Sequence, residues 1–195
     1  MPLASDISAL YERFGSQIYS YLRRLTQNAE LAQDLTQETF LRVMESFQSF
    51  RGEGEISNWL YRIATNLFRD YLRAHKGKEQ DAWDDKDRPD MSEIPAGDPP
   101  VTQFLEREAV TQCVRDCIAA LPPPYRAALL LYAVEGKTVE ESATILGCSK
   151  EAVKVRLHRG RHLFKSLAAE RCEVSVERRG GVTCLPKESR KEPLS

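Results

Sequence analysis

KTVEESATILGCSKEAVKVRLHRGRHLFK, Lys137 to Lys165, reads as two helices joined by a tight turn. Thr138 and Glu141 form a Thr-x-x-Glu capping box, which starts a helix by satisfying two backbone donors that have no partner inside it. Ala143, Ile145 and Leu146 supply the apolar positions of this first helix. Gly147 stops it, because glycine takes the left-handed backbone at no steric cost. Ser149 can cap the second helix. There Val153, Leu157, Gly160 and Phe164 recur at the spacing of a buried stripe. Lys150, Lys154, His158, Arg161 and Lys165 make a different, cationic stripe. A packed face beside a cationic face is what a helix lying in a DNA major groove requires. An ordinary solvated helix would not need box, turn and stripe together.

The rest of the chain carries this pair of helices on a larger helical frame. The 195 residues allow one ordinary domain or two small ones. The net charge of -1 hides an uneven distribution. Residues 1 to 76 carry nine charges of each sign, 77 to 112 carry four basic and ten acidic, and 113 to 171 carry ten basic and six acidic. A near-neutral total therefore does not argue against nucleic acid. No apolar run is long enough to span a bilayer, and the N-terminus lacks a charged-apolar-cleavage pattern, so membrane insertion is not expected. The five cysteines lack secreted-domain spacing, which fits free thiols in a reducing cytoplasm.

Helical periodicity runs from Asp6 to Thr26, with Ile7, Leu10, Phe14, Ile18, Tyr21, Leu22 and Leu25 on one side. Asn28 is positioned to cap a second helix over residues 29 to 47, with Leu31, Leu35, Phe40, Leu41 and Met44 expected inward. Ser57 is positioned to cap a third helix reaching Lys76, with Leu60, Ile63, Leu67 and Tyr71 inward. Residues 77 to 100, acidic and rich in proline and glycine, read as a flexible linker. Periodicity resumes at Thr102 and stops near Leu121, before Pro122, Pro123 and Pro124. A further helix then runs to Gly136, since proline is tolerated at a helix start. In the tail, residues 172 to 195, period-two spacing around Arg178-Arg179-Gly180-Gly181 suggests a small hairpin, and the last ten residues read as disordered.

The expected fold is therefore all-α: two small helical domains, 1–76 and 101–171, joined by a flexible acidic linker over 77–100. The second is a helix-turn-helix domain, and a hairpin-like or disordered tail follows.

Two further faces are candidates for function. Trp59, Arg62, Asn66, Arg69 and Arg73 recur at intervals of three and four on the third helix. An aromatic can stack on an exposed base, an amide can read a base edge and arginines can hold phosphates, a mixture suited to unstacked DNA. Phe50, Arg51 and Gly52, in the loop before this helix, extend the set. A core tryptophan with a solvated charged face is the plainer reading. On the second helix Asp34, Gln37, Glu38 and Arg42 lie on the side away from the expected core, either as a solvated face or as a docking surface for a partner's helices. Cys113 and Cys117 lie one turn apart, and Cys148 precedes His158 and His162, but no paired zinc spacing exists, so neither a metal nor a cofactor is expected. Cys172 and Cys184 flank the hairpin and read as separate tail thiols rather than a redox or metal-linked pair. No Walker loop, nucleophile elbow or carboxylate dyad is present, so no enzymatic activity is expected.

The ordered combination resembles the bacterial sigma factors of the extracytoplasmic-function (ECF) type, over about residues 8 to 76 and 102 to 169. DLTQETFLRVMESFQSFRGEGEISNWLYRIATNLFRDYLRAHK, Asp34 to Lys76, is similar to the family's second region. ALPPPYRAALLLYAVEGKTVEESATILGCSKEAVKVRLHRGRHLF, Ala120 to Phe164, is similar to its fourth. The resemblance implies a cytoplasmic protein that binds core RNA polymerase and directs it to promoter DNA. Asp34, Gln37, Glu38 and Arg42 would dock on the clamp helices of the beta-prime subunit, and the fourth region on the beta flap. Phe50, Arg51 and Gly52, with Trp59, Arg62, Asn66, Arg69 and Arg73, would open the minus-ten element and hold a flipped base. Ser149, Lys150, Lys154, Arg156, His158, Arg159 and Arg161 would read the minus-thirty-five element. An anti-sigma factor would be a further partner. The runner-up is a stand-alone helix-turn-helix regulator, which would bind duplex DNA as a dimer without polymerase.

Overall fold

Asn28 fixes the first corner of the chain. Its side chain accepts from the Leu31 amide at 3.1 Å, and Gln27 before it takes a left-handed backbone with φ of 59°. In the computed structural model, which describes residues 4–47, 55–76, 83, 112–176 and 182–186, this corner separates α1 (Ala4–Thr26) from α2 (Ala29–Ser46). Then come α3 (Ile56–Lys76), α4 (Gln112–Ala119), α5 (Pro123–Leu129), α6 (Val139–Leu146) and α7 (Lys150–Arg171). A π-helical turn, Leu130–Val134, prolongs α5. The strands β1 (Cys172–Val176) and β2 (Val182–Pro186) pair antiparallel, with Val174 opposite Cys184, as the tail's alternation suggested.

Helices α1, α2 and α3 pack on one another, and α7 packs against α4, α5 and α6. The expected inner face of α1 is found: Ile7, Phe14, Ile18, Tyr21, Leu22 and Leu25 are buried. On α2 the face is turned. Leu35 and Phe40 are buried, but Leu41 and Met44 are 53% and 52% exposed, and Ala32, Thr36, Thr39 and Val43 take the inner places. Two threonines can face inward because each hydroxyl bonds the carbonyl four residues back, Thr36 to Ala32 and Thr39 to Leu35, both at 2.6 Å. On α3, Leu60 is buried as expected, while Ile63, Leu67 and Tyr71 are half-buried and Tyr61, Ala64, Thr65, Phe68 and Leu72 lie deepest. The shift has a cause: α3 touches α1 and α2 on one side and α6 on the other.

Ser57 is not the cap of α3. The Glu55 carbonyl accepts from the Asn58 amide at 3.0 Å, so the helix begins one residue earlier, and the Ser57 hydroxyl accepts from Lys137 Nζ at 2.7 Å instead. A helix at Thr102 and the loop residues Phe50, Arg51 and Gly52 lie outside the described residues.

The helix-turn-helix forms as read. The Glu141 amide donates to Thr138 Oγ1 at 3.2 Å, and Glu141 Oε2 accepts from the Thr138 amide at 2.8 Å. Gly147 is left-handed, with φ of 62°, and Ser149 Oγ accepts from the Ala152 amide at 3.1 Å. Val153, Leu157, Gly160 and Phe164 are buried. Gly160 is required by close approach: a Cβ there would lie 3.0 Å from Leu129 Cδ1 on α5.

Glu141 also accepts from Asn58 Nδ2 at 3.0 Å. That bond first, and then those from Thr138, hold its carboxyl down to about 2. Thr138→Ala is expected to destabilise the protein by about 1 kcal/mol, read as a lowered denaturation midpoint. Because the carboxyl is held below its ordinary value in the folded chain, its contribution is complete above pH ~4.5 and fades as the pH falls toward 2. The Glu141→Gln chain should lack that part of the acid loss, and an identical acid profile would exclude it.

Candidate nucleic-acid and polymerase interface

Helix α7 splits into the two faces that groove binding needs, with one exception. Lys150, Lys154 and Lys165 are exposed, and His158, Arg159 and Arg161 are half-buried. Lys150 pairs with Glu140, a contact between two exposed side chains. Ser149 is exposed and occupied as the helix cap. The Arg161 guanidinium lies 5.5 Å from the centre of the Tyr132 ring.

The exception is Arg156, which the sequence placed among the base readers and which is only 6% exposed. Its spacing explains this. Val153, Arg156, Leu157 and Gly160 stand at i, i+3, i+4 and i+7, so Arg156 belongs to the packed stripe. One guanidinium nitrogen donates to the Trp83 carbonyl at 3.1 Å and another to Cys148 Sγ at 3.2 Å.

On α3, Arg62, Asn66 and Arg73 are exposed, Trp59 is half-buried, and Arg73 pairs with Asp70 at 3.0 Å. The Trp59 ring lies 6.5 Å from that of Phe47, at the end of α2, tilted by 55°. Arg69 is half-buried and donates to the Leu146 carbonyl of α6 at 3.3 Å. Burial, and next the Arg156 charge, push its guanidinium below the usual arginine range.

On α2, Asp34 and Gln37 are exposed and Glu38 pairs with Arg42 at 2.9 Å. Such an exposed i,i+4 pair contributes only about 0.3–0.5 kcal/mol, so a partner can break it at little cost. Leu41 and Met44 lie bare on the same helix at i+7 and i+10 from Asp34. The sequence reading assigned them to the core and so missed an apolar centre for this docking face.

The two helical groups also touch directly. The Tyr61 hydroxyl donates to Glu135 Oε2 at 2.5 Å, Arg24 pairs with Glu135 Oε1 at 3.1 Å, and Arg126 Nη1 donates to the Leu25 carbonyl at 2.6 Å. Burial raises the Glu135 carboxyl and the Tyr61 phenol above their ordinary values. Among the described residues no helix is long and apolar enough to cross a membrane.

Two family models match these two groups of helices in the same order. Sigma-70 region 2 matches residues 10–78, and Sigma-70 region 4 matches residues 111–162. The ECF RNA polymerase sigma factor SigE of Mycolicibacterium smegmatis is 34% identical over 161 residues, which are 83% of this chain and 61% of that protein. The RNA polymerase sigma factor YlaC of Bacillus subtilis is 30% identical over 183 residues, covering 88% of this chain and 97% of that one. The ECF RNA polymerase sigma factor SigM of Bacillus subtilis is 32% identical over 161 residues, 83% of this chain and 94% of that one. The fold is shared with the sigma factor RpoE of Bartonella quintana, solved in complex with the anti-sigma factor NepR: TM-score 0.62, 23% identity, 84% of this chain and 97% of that one. It is shared too with CnrH, solved with the cytosolic domain of CnrY: TM-score 0.60, 20% identity, 87% of this chain and 91% of that one.

The chain belongs to the ECF branch of the sigma-70 family, the RNA polymerase sigma factors, whose work is promoter-directed initiation of transcription. That membership favours the sigma factor over the stand-alone helix-turn-helix regulator.

Proposed function

We propose that residues 1–76 form the unit that docks on core polymerase and opens the minus-ten element, that 77–100 tether it to the reader of the minus-thirty-five element in 101–171, and that 172–195 are an accessory extension. Asp34, Gln37, Glu38 and Arg42, around Leu41 and Met44, meet the beta-prime clamp helices, and the helix-turn-helix unit meets the beta flap. Trp59, Arg62 and Asn66 with Phe50, Arg51 and Gly52 take the unstacked strand, and Arg69 and Arg73 its phosphates. Ser149, Lys150, Lys154, His158, Arg159 and Arg161 face the intact groove, and Arg156 joins them once its present contacts are released. The protein acts in the cytoplasm without catalysis of its own, and an anti-sigma protein is its natural antagonist.

The observation that carries this reading is that one chain presents a cationic groove-binding face on α7 and a separate aromatic-cationic face on α3. Duplex DNA suits the first and unpaired DNA the second. Contacts to the open strand count only once pairs are broken, so they lower the cost of opening rather than strengthening the first encounter.

Run-off transcription with purified core polymerase over a pool of genomic promoters tests it directly. Discrete new start sites are expected, and their absence would refute the reading. Lys154→Ala is expected to weaken duplex binding and to reduce the slope of log affinity against log salt by about one. An unchanged slope would mean that Lys154 meets no phosphate.

A further inference from the structure

Trp83 comes from the acidic linker yet is only 6% exposed. Its indole lies between two arginines that belong to different DNA-facing elements. The Arg69 guanidinium of α3 is 5.1 Å from the ring centre, and that of Arg156 on α7 is 6.0 Å away. Its backbone carbonyl accepts from Arg156. Arg69 meanwhile caps the C-terminal carbonyl of α6 through Leu146.

Two guanidinium ions held this near repel one another. An aromatic face between them supplies attraction to both, and that attraction strengthens away from water. An arginine bonded to a backbone carbonyl and stacked on an indole cannot hold a DNA phosphate with the same nitrogens. The arrangement therefore consumes binding groups of both units at once. Tyr61 with Glu135, Lys137 with Ser57 and Asn58 with Glu141 close the same seam.

We infer that Trp83 is a built-in latch: it clamps the two units together in the free chain and withholds Arg69 and Arg156 from DNA until the linker is pulled away. The latch rests on the assignment of α3 and α7 as DNA-binding elements. It gives the linker a role beyond length. A chain that spends most of its time closed binds DNA with an affinity reduced by the fraction that is open. Whatever extracts Trp83 from its slot raises that fraction, and polymerase, which must hold the two units on separate promoter elements, has that effect.

The test uses the full-length chain and Trp83→Ala. Trp83 lies in neither helical group, so this change should leave the helical circular dichroism intact. Small-angle scattering reads closure, and fluorescence anisotropy with a mixed-sequence 20-base-pair duplex at low salt reads DNA access. The variant is expected to have a larger radius of gyration and to bind the duplex about tenfold more tightly. No change in either quantity overturns the latch. A larger radius with unchanged affinity supports closure by Trp83 and overturns the DNA-facing assignment on which the withholding depends.

A second measurement keeps Trp83 in place. The chain has two tryptophans, so Trp59→Phe leaves Trp83 as its single indole. Acrylamide should quench it weakly in the free chain and more strongly after the duplex is added. Strong quenching from the start overturns the buried latch even if Trp83→Ala fails to fold.

Discussion

Trp59→Ala is expected to leave closed promoter complexes nearly intact while reducing open complexes by tenfold or more. The ring is half-buried at the start of α3, against Phe47, and so retains a face for a base. One stacked base contributes about 1–3 kcal/mol. At about 1.4 kcal/mol per factor of ten, that loss spans roughly 5- to 150-fold in the opening equilibrium. Permanganate reactivity of unpaired thymines measures opening, and gel shift measures the closed complex. Trp59→Phe, which keeps a π face, should recover most of the reactivity. Normal opening by the alanine chain would remove Trp59 from strand capture. An equal loss of both complexes would assign it a packing role.

Substituting Leu41 and Met44 together by glutamate is expected to weaken core polymerase binding by about thirtyfold or more. Full burial of such side chains contributes about 1.5–3 kcal/mol each. Each is already about half-covered in the free chain, so roughly half of that remains to be gained on docking. The paired change also places two carboxylates at the centre of the contact, where desolvation opposes them. Both side chains lie outside the buried cluster, so the melting temperature should barely move. Fluorescence titration of labelled chain with core enzyme gives the affinity. Unchanged binding would place the docking surface elsewhere.

Much of the architecture was legible because local signals agreed with each other. Asn28, Thr138 with Glu141, Gly147 and Ser149 each cap or stop a helix at the place their chemistry dictates. What was not legible came from contacts between distant segments. The inner face of α2 depends on two threonines that hide their hydroxyls on their own backbone, so a hydropathy stripe points at Leu41 and Met44 instead. Ser57 reads as a cap until Lys137, 80 residues away, claims its hydroxyl. Arg156 looks cationic in composition but sits in register with Val153 and Gly160, a placement that spacing alone reveals. Trp83 carried one usable signal, a lone large aromatic in an acidic run, yet nothing nearby in the sequence announces its two arginine neighbours.

The π-helical turn after α5 has a consequence for how such proteins diverge. From Leu130 the chain accommodates one residue more than an α-helix would, and the Glu135 amide reaches back five places to the Leu130 carbonyl at 3.0 Å. Deleting a single residue here would restore ordinary winding and swing everything downstream by about 100° around the axis. Glu135 would then turn away from Tyr61 and Arg24, and the reading head would be re-aimed without a change in any of its own amino acids. Indels in this five-residue window thus act as a dial on promoter spacing, one that evolution can turn independently of base preference.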